Sequence, residues 1–137
     1  MNWYKIAQDG LSYQEKYGRD IYEVEGLKYM TPTHAPNAPI YEVDVNTIDE
    51  MWQKEAQDFY LPKNSQDNRT KEFIEWIKQD EPIQVPEIYI DKDGAAHFIN
   101  GRHRFAFVRD SGKTRTVMNI EFEDNKYMGI VGAQQLG

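Results

Sequence analysis

The sequence predicts an α+β domain, a small mixed β-sheet with packed helices, and three observations carry that prediction. Two segments, Ile40–Val45 and Thr114–Phe122, alternate apolar and polar residues with the period of two that marks a half-buried strand. Between them, Ile88-Tyr89-Ile90 and Ala95–Ile99 flank Asp91-Lys92-Asp93-Gly94, where Asp-Gly can take the positive backbone angles of a tight hairpin turn. Helix-period stripes occupy the intervening stretches. The resulting order is strand, helix, helix, hairpin, basic helix, strand.

The composition suits one domain. A chain of 137 residues with 39% apolar and 13% aromatic residues can build a core without metal or disulfide staples. It contains no cysteine, which excludes disulfides, thiolate metal sites and cysteine nucleophiles. No run approaches the roughly 18 apolar residues of a membrane span, and no basic-then-apolar leader opens the chain. A cytoplasmic protein with no membrane association is expected. Net charge is −7 with a pI near 4.9, which argues against a surface that grips nucleic acid everywhere. The cations Arg102, Arg104, Arg109, Lys113 and Arg115 nevertheless read as one dense positive patch.

Residues 1–38 are expected to be an aromatic-rich extension and proline connector, with a short helix over Leu11–Tyr17. Residues 39–125 form the expected domain. After the first strand, Thr47-Ile48-Asp49-Glu50 matches a capping box, in which hydroxyl and carboxylate satisfy free N–H groups reciprocally. The helix that follows carries Ile48, Met51, Trp52 and Phe59 at helical spacing and should end before Pro62. A second helix is expected over Asn68–Gln79, with Phe73, Trp76 and Ile77 as its stripe. Trp52 and Trp76 are read as core. Residues 126–137 form a short tail, and its glycine-rich end from Gly129 should fray.

The most informative stretch is Asn100-Gly101-Arg102-His103-Arg104, at a strand-to-helix junction. The helix reads as Phe105–Asp110, stopped near Gly112. Helix-start N–H groups point outward unpaired, the helix dipole adds partial positive charge, and two arginines with a histidine can hold phosphate oxygens. The plain alternative is a solvated basic first turn. Three cations at a helix start oppose the dipole, so a negative group is expected nearby.

In this order of elements the chain from Pro39 to Phe122 resembles the ParB/sulfiredoxin superfamily. The resemblance lies in the strand Ile40–Val45, the helix Asn68–Gln79, the Pro82-Ile83 and Val85-Pro86-Glu87-Ile88 run, the Asp93-Gly94 hairpin and Ile99–Ala106. Gly112 and the strand through Met118 and Ile120 also fit. It implies a nucleotide site. Sulfiredoxins bind ATP phosphates with a Gly-Cys-His-Arg motif, partition ParB proteins hold CTP phosphates with Gly-Glu-Arg-Arg, and free-serine kinases use related residues. By resemblance, Gly101, Arg102, His103 and Arg104 take phosphate-binding roles beside Asn100.

The departures narrow the branch. Arg102 stands where a sulfiredoxin needs its cysteine, so thiolate chemistry on sulfinic acids is excluded. The helix-turn-helix module and dimerisation tail of a partition ParB are not expected in the short stretch after Phe122. A stand-alone nucleoside-triphosphate-binding domain is the leading expectation, with NTPase or phosphotransferase activity open. Mg²⁺ would arrive with the nucleotide. A phosphotransferase needs a carboxylate near the phosphates, and Asp49 and Glu50 are weak candidates, as are Glu42 and Asp44. Asp91-x-Asp93-Gly94 lacks the later glutamate of a calcium loop, and His34, His97 and His103 show no metal spacing. Two alternatives stay open: a DNA-associated accessory module with weak phosphate-backbone affinity, and an acidic mobile-element factor that binds a protein partner.

Overall fold

The computed structural model describes residues 20–31, 39–55, 59–63 and 82–136. Eleven elements are ordered β1 (Ile21–Val24), β2 (Leu27–Met30), β3 (Ile40–Asp44), α1 (Val45–Gln53), β4 (Ile83–Gln84) and β5 (Glu87–Ile90) among the described residues. They continue with β6 (Ala96–Asn100), α2 (Arg102–Asp110), β7 (Arg115–Phe122), α3 (Lys126–Ile130) and β8 (Gln134–Gln135). The fold is α+β. The larger sheet has the order β6-β5-β7-β3-β8 and is mixed, since β7 runs antiparallel to β3 and parallel to β5. The hairpin is β5–β6, with Gly94 at a φ of +82° in its turn.

A second sheet, β1-β2-β4, comes partly from residues expected to be an extension. Val24 and Tyr29 belong to the same buried core as Val43, Trp52 and Phe105. Thr116 Oγ1 of β7 donates to the Tyr29 hydroxyl of β2 at 3.1 Å, with both side chains buried. The Glu25 carboxylate in the β1–β2 turn accepts the Thr114 and Arg115 N–H groups, each at 2.7 Å. Small sheet and large sheet are thereby tied at the start of β7.

Helix α1 begins earlier than its capping-box sequence predicts. Asp44, in extended backbone with ψ 120°, is the N-cap, and its carboxylate accepts both the Thr47 N–H at 2.9 Å and the Thr47 hydroxyl at 2.6 Å. A carboxylate that reaches two donors displaces the weaker hydroxyl cap and draws Thr47 inside the helix. Glu50 is left exposed. The helix also stops early, at Gln53, and does not run to Pro62. Phe59 therefore lies off the helical stripe and is 57% exposed.

Trp52 is core, as its spacing predicts. It is fully buried, with ring centroids of Phe98, Tyr60 and Phe105 at 4.5, 4.8 and 5.8 Å. The predicted helices over Leu11–Tyr17 and Asn68–Gln79, Trp76 and His34 lie outside the described residues.

The glycine-rich end does not fray in the described residues. Val131 is fully buried, the Asp44 N–H donates to its carbonyl at 2.9 Å, and Leu136 N–H donates to Ile40 O at 2.8 Å. Gly132 turns the chain at a φ of +63°, and β8 pairs antiparallel with β3. Pairing with a strand edge, which local composition does not report, holds the segment. Among the described residues no helix is long and apolar enough to cross a membrane.

Candidate functional site

Strand β6 and helix α2 meet at a glycine. Gly101 is the N-cap of α2, at φ +89° and ψ 21°, a left-handed conformation that side chains rarely tolerate. A Cβ at this position would stand 2.9 Å from Pro86 Cα and 2.7 Å from Arg104 Nη2. The junction closes only because nothing projects there. Helix α2 consequently starts at Arg102, one turn before the Phe105 that apolar spacing predicts, and its first bond runs from Phe105 N–H to Gly101 O at 3.0 Å. Its far end is closed by Gly112 at φ +85°, with Gly112 N–H on Arg109 O and Lys113 N–H on Val108 O.

A cleft of about 380 Å³ opens at this junction, lined by Phe59, Phe98, Ile99, Asn100, Gly101, Arg102, His103 and Arg104. The five residues singled out in the sequence thus share one concavity. The first turn of α2 has no side-chain cap and no acidic residue. Helix-start N–H groups without intrahelical acceptors, together with the dipole, make that end favourable to an anion.

The two arginines of the motif differ in kind. Arg102 lies at the lip, its Nη1 donating to the Phe59 carbonyl at 3.1 Å and its guanidinium 5.7 Å from the Phe59 ring centre. Arg104 is half-buried in the floor, where its Nε donates to Gln84 O at 2.9 Å. Its Nη2 is closed to solvent and has no hydrogen-bond acceptor among the described residues. Burial lowers the Arg104 pKa from its ordinary value, against the pull of the Glu87 carboxylate. Glu87, itself buried, is the negative group that a cationic helix start calls for.

The positive patch read from the sequence is not one surface. Arg109 is buried, with Nη1 on Asp49 Oδ1 at 2.9 Å and on Leu61 O at 2.6 Å, and Nη2 on Pro62 O at 3.0 Å. Its Nε pairs with Asp110 at 2.9 Å. Arg115 pairs with Glu42 at 3.0 Å and donates to Gly132 O at 2.8 Å. Lys113 lies in the field of Glu25. Long-range pairing has dispersed cations that sequence proximity groups together.

The carboxylates expected near the phosphates are elsewhere. Asp49 is buried and accepts from Arg109, Gln53 and Tyr60, and neither it nor Glu50 lines the cleft. Glu42 holds Arg115, and Asp44 caps α1. Asp91 serves the hairpin turn, accepting the Asp93 and Ala95 N–H groups and pairing with His97 at 2.8 Å. Among the described residues no group of three or more histidine or acidic side chains is placed to hold a metal ion.

Sequence reasoning missed Phe59, Phe98 and Ile99 as cleft walls. Phe98 and Ile99 directly precede the motif on the predicted hairpin arm, so adjacency was an available signal. Phe59 had none, because its spacing matches a helix stripe. No family model, curated protein or solved structure matches this chain.

Proposed function

We propose that the cleft binds the phosphate groups of a nucleoside triphosphate. The observation that carries this reading is the junction itself, where an uncapped helix start, a side-chain-free Gly101 and the Arg102 guanidinium converge on one concavity. Arg102 supplies the accessible charge. Gly101, whose missing Cβ leaves room for Pro86 and Arg104 Nη2, brings β6 and α2 together at the cleft, and His103 lines the same wall. The resemblance of Asn100–Arg104 to ParB and sulfiredoxin phosphate motifs points the same way. Arg104 supports the junction from beneath. A cleft of about 380 Å³ lies at the lower end of small-molecule pockets and suits a mononucleotide.

Binding is the reading the geometry supports best. Turnover of the terminal phosphate needs a carboxylate to orient the acceptor, and among the described residues none that lines the cleft is acidic. Mg²⁺ would enter with the triphosphate, held by its phosphate oxygens.

Thermal-shift titration with ATP, CTP, GTP and UTP, with and without Mg²⁺, tests the proposal. At least one nucleotide is expected to raise the melting temperature, and Arg102→Ala to reduce that effect. If no nucleotide shifts the parent protein, the proposal fails. A labelled DNA duplex separates the alternative. Salt-tolerant duplex binding that nucleotide does not compete away would replace this reading with a DNA-associated module.

A further inference from the structure

The cleft has an apolar lip as well as a cationic wall. Phe59 is 57% exposed and Ile99 64% exposed, and among the described residues one other large apolar side chain, Ile130, is comparably bare. Both Phe59 and Ile99 line the cleft. Exposed apolar area of this size costs free energy that a covering ligand returns.

Phe59 is held in that position. Its carbonyl takes Arg102 Nη1, the carbonyls of Leu61 and Pro62 take Arg109, and the Tyr60 hydroxyl donates to Asp49 at 3.2 Å. The Tyr60 ring packs edge-on against Trp52. Four consecutive residues are therefore suspended from α1 and α2; Phe59 and Pro62 are the exposed ones, and Phe59 is the aromatic ring beside a guanidinium.

Resting on the phosphate reading above, we infer that Phe59 and Ile99 form a ring subsite. The ligand of this cleft carries a flat heteroaromatic ring tethered to its anion. The ring stacks on Phe59 against Ile99, and the anionic end meets Arg102 and the start of α2. Charge decides against an apolar peptide as occupant, because a guanidinium and uncapped N–H groups adjoin the lip and would be buried without acceptors. Phe59 is then the specificity-determining residue, separating ring-bearing polyphosphates from ring-free ones.

Calorimetric titration of the full chain tests this, using the four nucleoside triphosphates and inorganic tripolyphosphate as probes. In the parent, at least one nucleotide is expected to bind about tenfold or more tightly than tripolyphosphate. Phe59→Ala should abolish that advantage and leave tripolyphosphate affinity within about twofold, and Phe59→Trp should retain it. Equal binding of nucleotide and tripolyphosphate by the parent would overturn the ring subsite and leave the phosphate site standing. A Phe59→Ala protein that loses both ligands equally would also overturn it, showing that Phe59 only places Arg102. Failure of the parent to bind either probe removes the phosphate reading, and this inference with it.

Discussion

Arg109 and Asp49 form an ion pair at 2.9 Å in which each side chain is only 2% exposed. The pair joins α2 to α1, and the same guanidinium takes the carbonyls of Leu61 and Pro62. The lip of the cleft is therefore suspended from a charge pair in the core. Its sequence separation is 60 residues.

Asp49→Ala should be destabilising. Removing one partner of a buried pair leaves an uncompensated charge, at a cost of about 3–5 kcal/mol, and the retained Asp110 contact places the expectation at the low end. Chemical denaturation measures it. An unchanged midpoint would mean that the Asp49–Arg109 pair does not stabilise the fold.

Arg102 and Arg104 should separate binding from folding. Arg102→Ala is expected to weaken nucleotide binding by about 1.5–3 kcal/mol, the value of a charge-assisted contact, with little loss of stability. Arg104→Ala should lower the melting temperature as well, because its Nε holds Gln84 O and its Nη2 lies beneath Gly101. Calorimetry and thermal melts on the two variants give the comparison. Equal stability losses would refute this division.

Gly101→Ala should damage the junction. A left-handed alanine costs about 1–2 kcal/mol, and the contact with the Pro86 backbone adds overpacking of about 1–3 kcal/mol. A melting temperature near that of the parent would show that β6 and α2 can meet without this geometry.

Tyr29 should confer sensitivity to alkali. Burial pushes its phenol up to about 12 from an ordinary value of 10.0. Between those values the unfolded chain releases the proton and the folded chain keeps it. Stability fully present below about pH 10 is therefore lost as pH rises toward 12, by about 2–3 kcal/mol in total. Tyr29→Phe should flatten that part of the stability profile, at the cost of the Thr116 hydrogen bond at all pH values. A variant that follows the parent through this range would refute the assignment.

Trp52→Ala should cost about 3–5 kcal/mol, as expected for a fully buried indole packed on three rings. Equilibrium unfolding is the check. Parental stability with lost ligand binding would mark Trp52 as a functional aromatic.

What the sequence determined by itself is what short-range chemistry encodes. The alternation of Ile40–Val45 and Thr114–Phe122 yields β3 and β7, Asp93-Gly94 yields the β5–β6 turn, and Gly112 closes α2. Asn100 to Arg104 share one cleft because they are consecutive across a strand-to-helix junction, where spacing along the chain already fixes proximity. Tertiary structure alone decided the rest. It took Asp49 into the core, drew Arg109 and Arg115 away from the cleft, set Arg104 in its floor and held Phe59 at its lip. It also added β1–β2 to the core and paired β8 with β3. Each of these outcomes depends on a partner distant in the chain, such as Glu25 for Thr114 or Asp49 for Arg109. Periodicity and turn chemistry report a residue's own backbone and its near neighbours, whereas a buried charge is placed by whichever distant group can satisfy it.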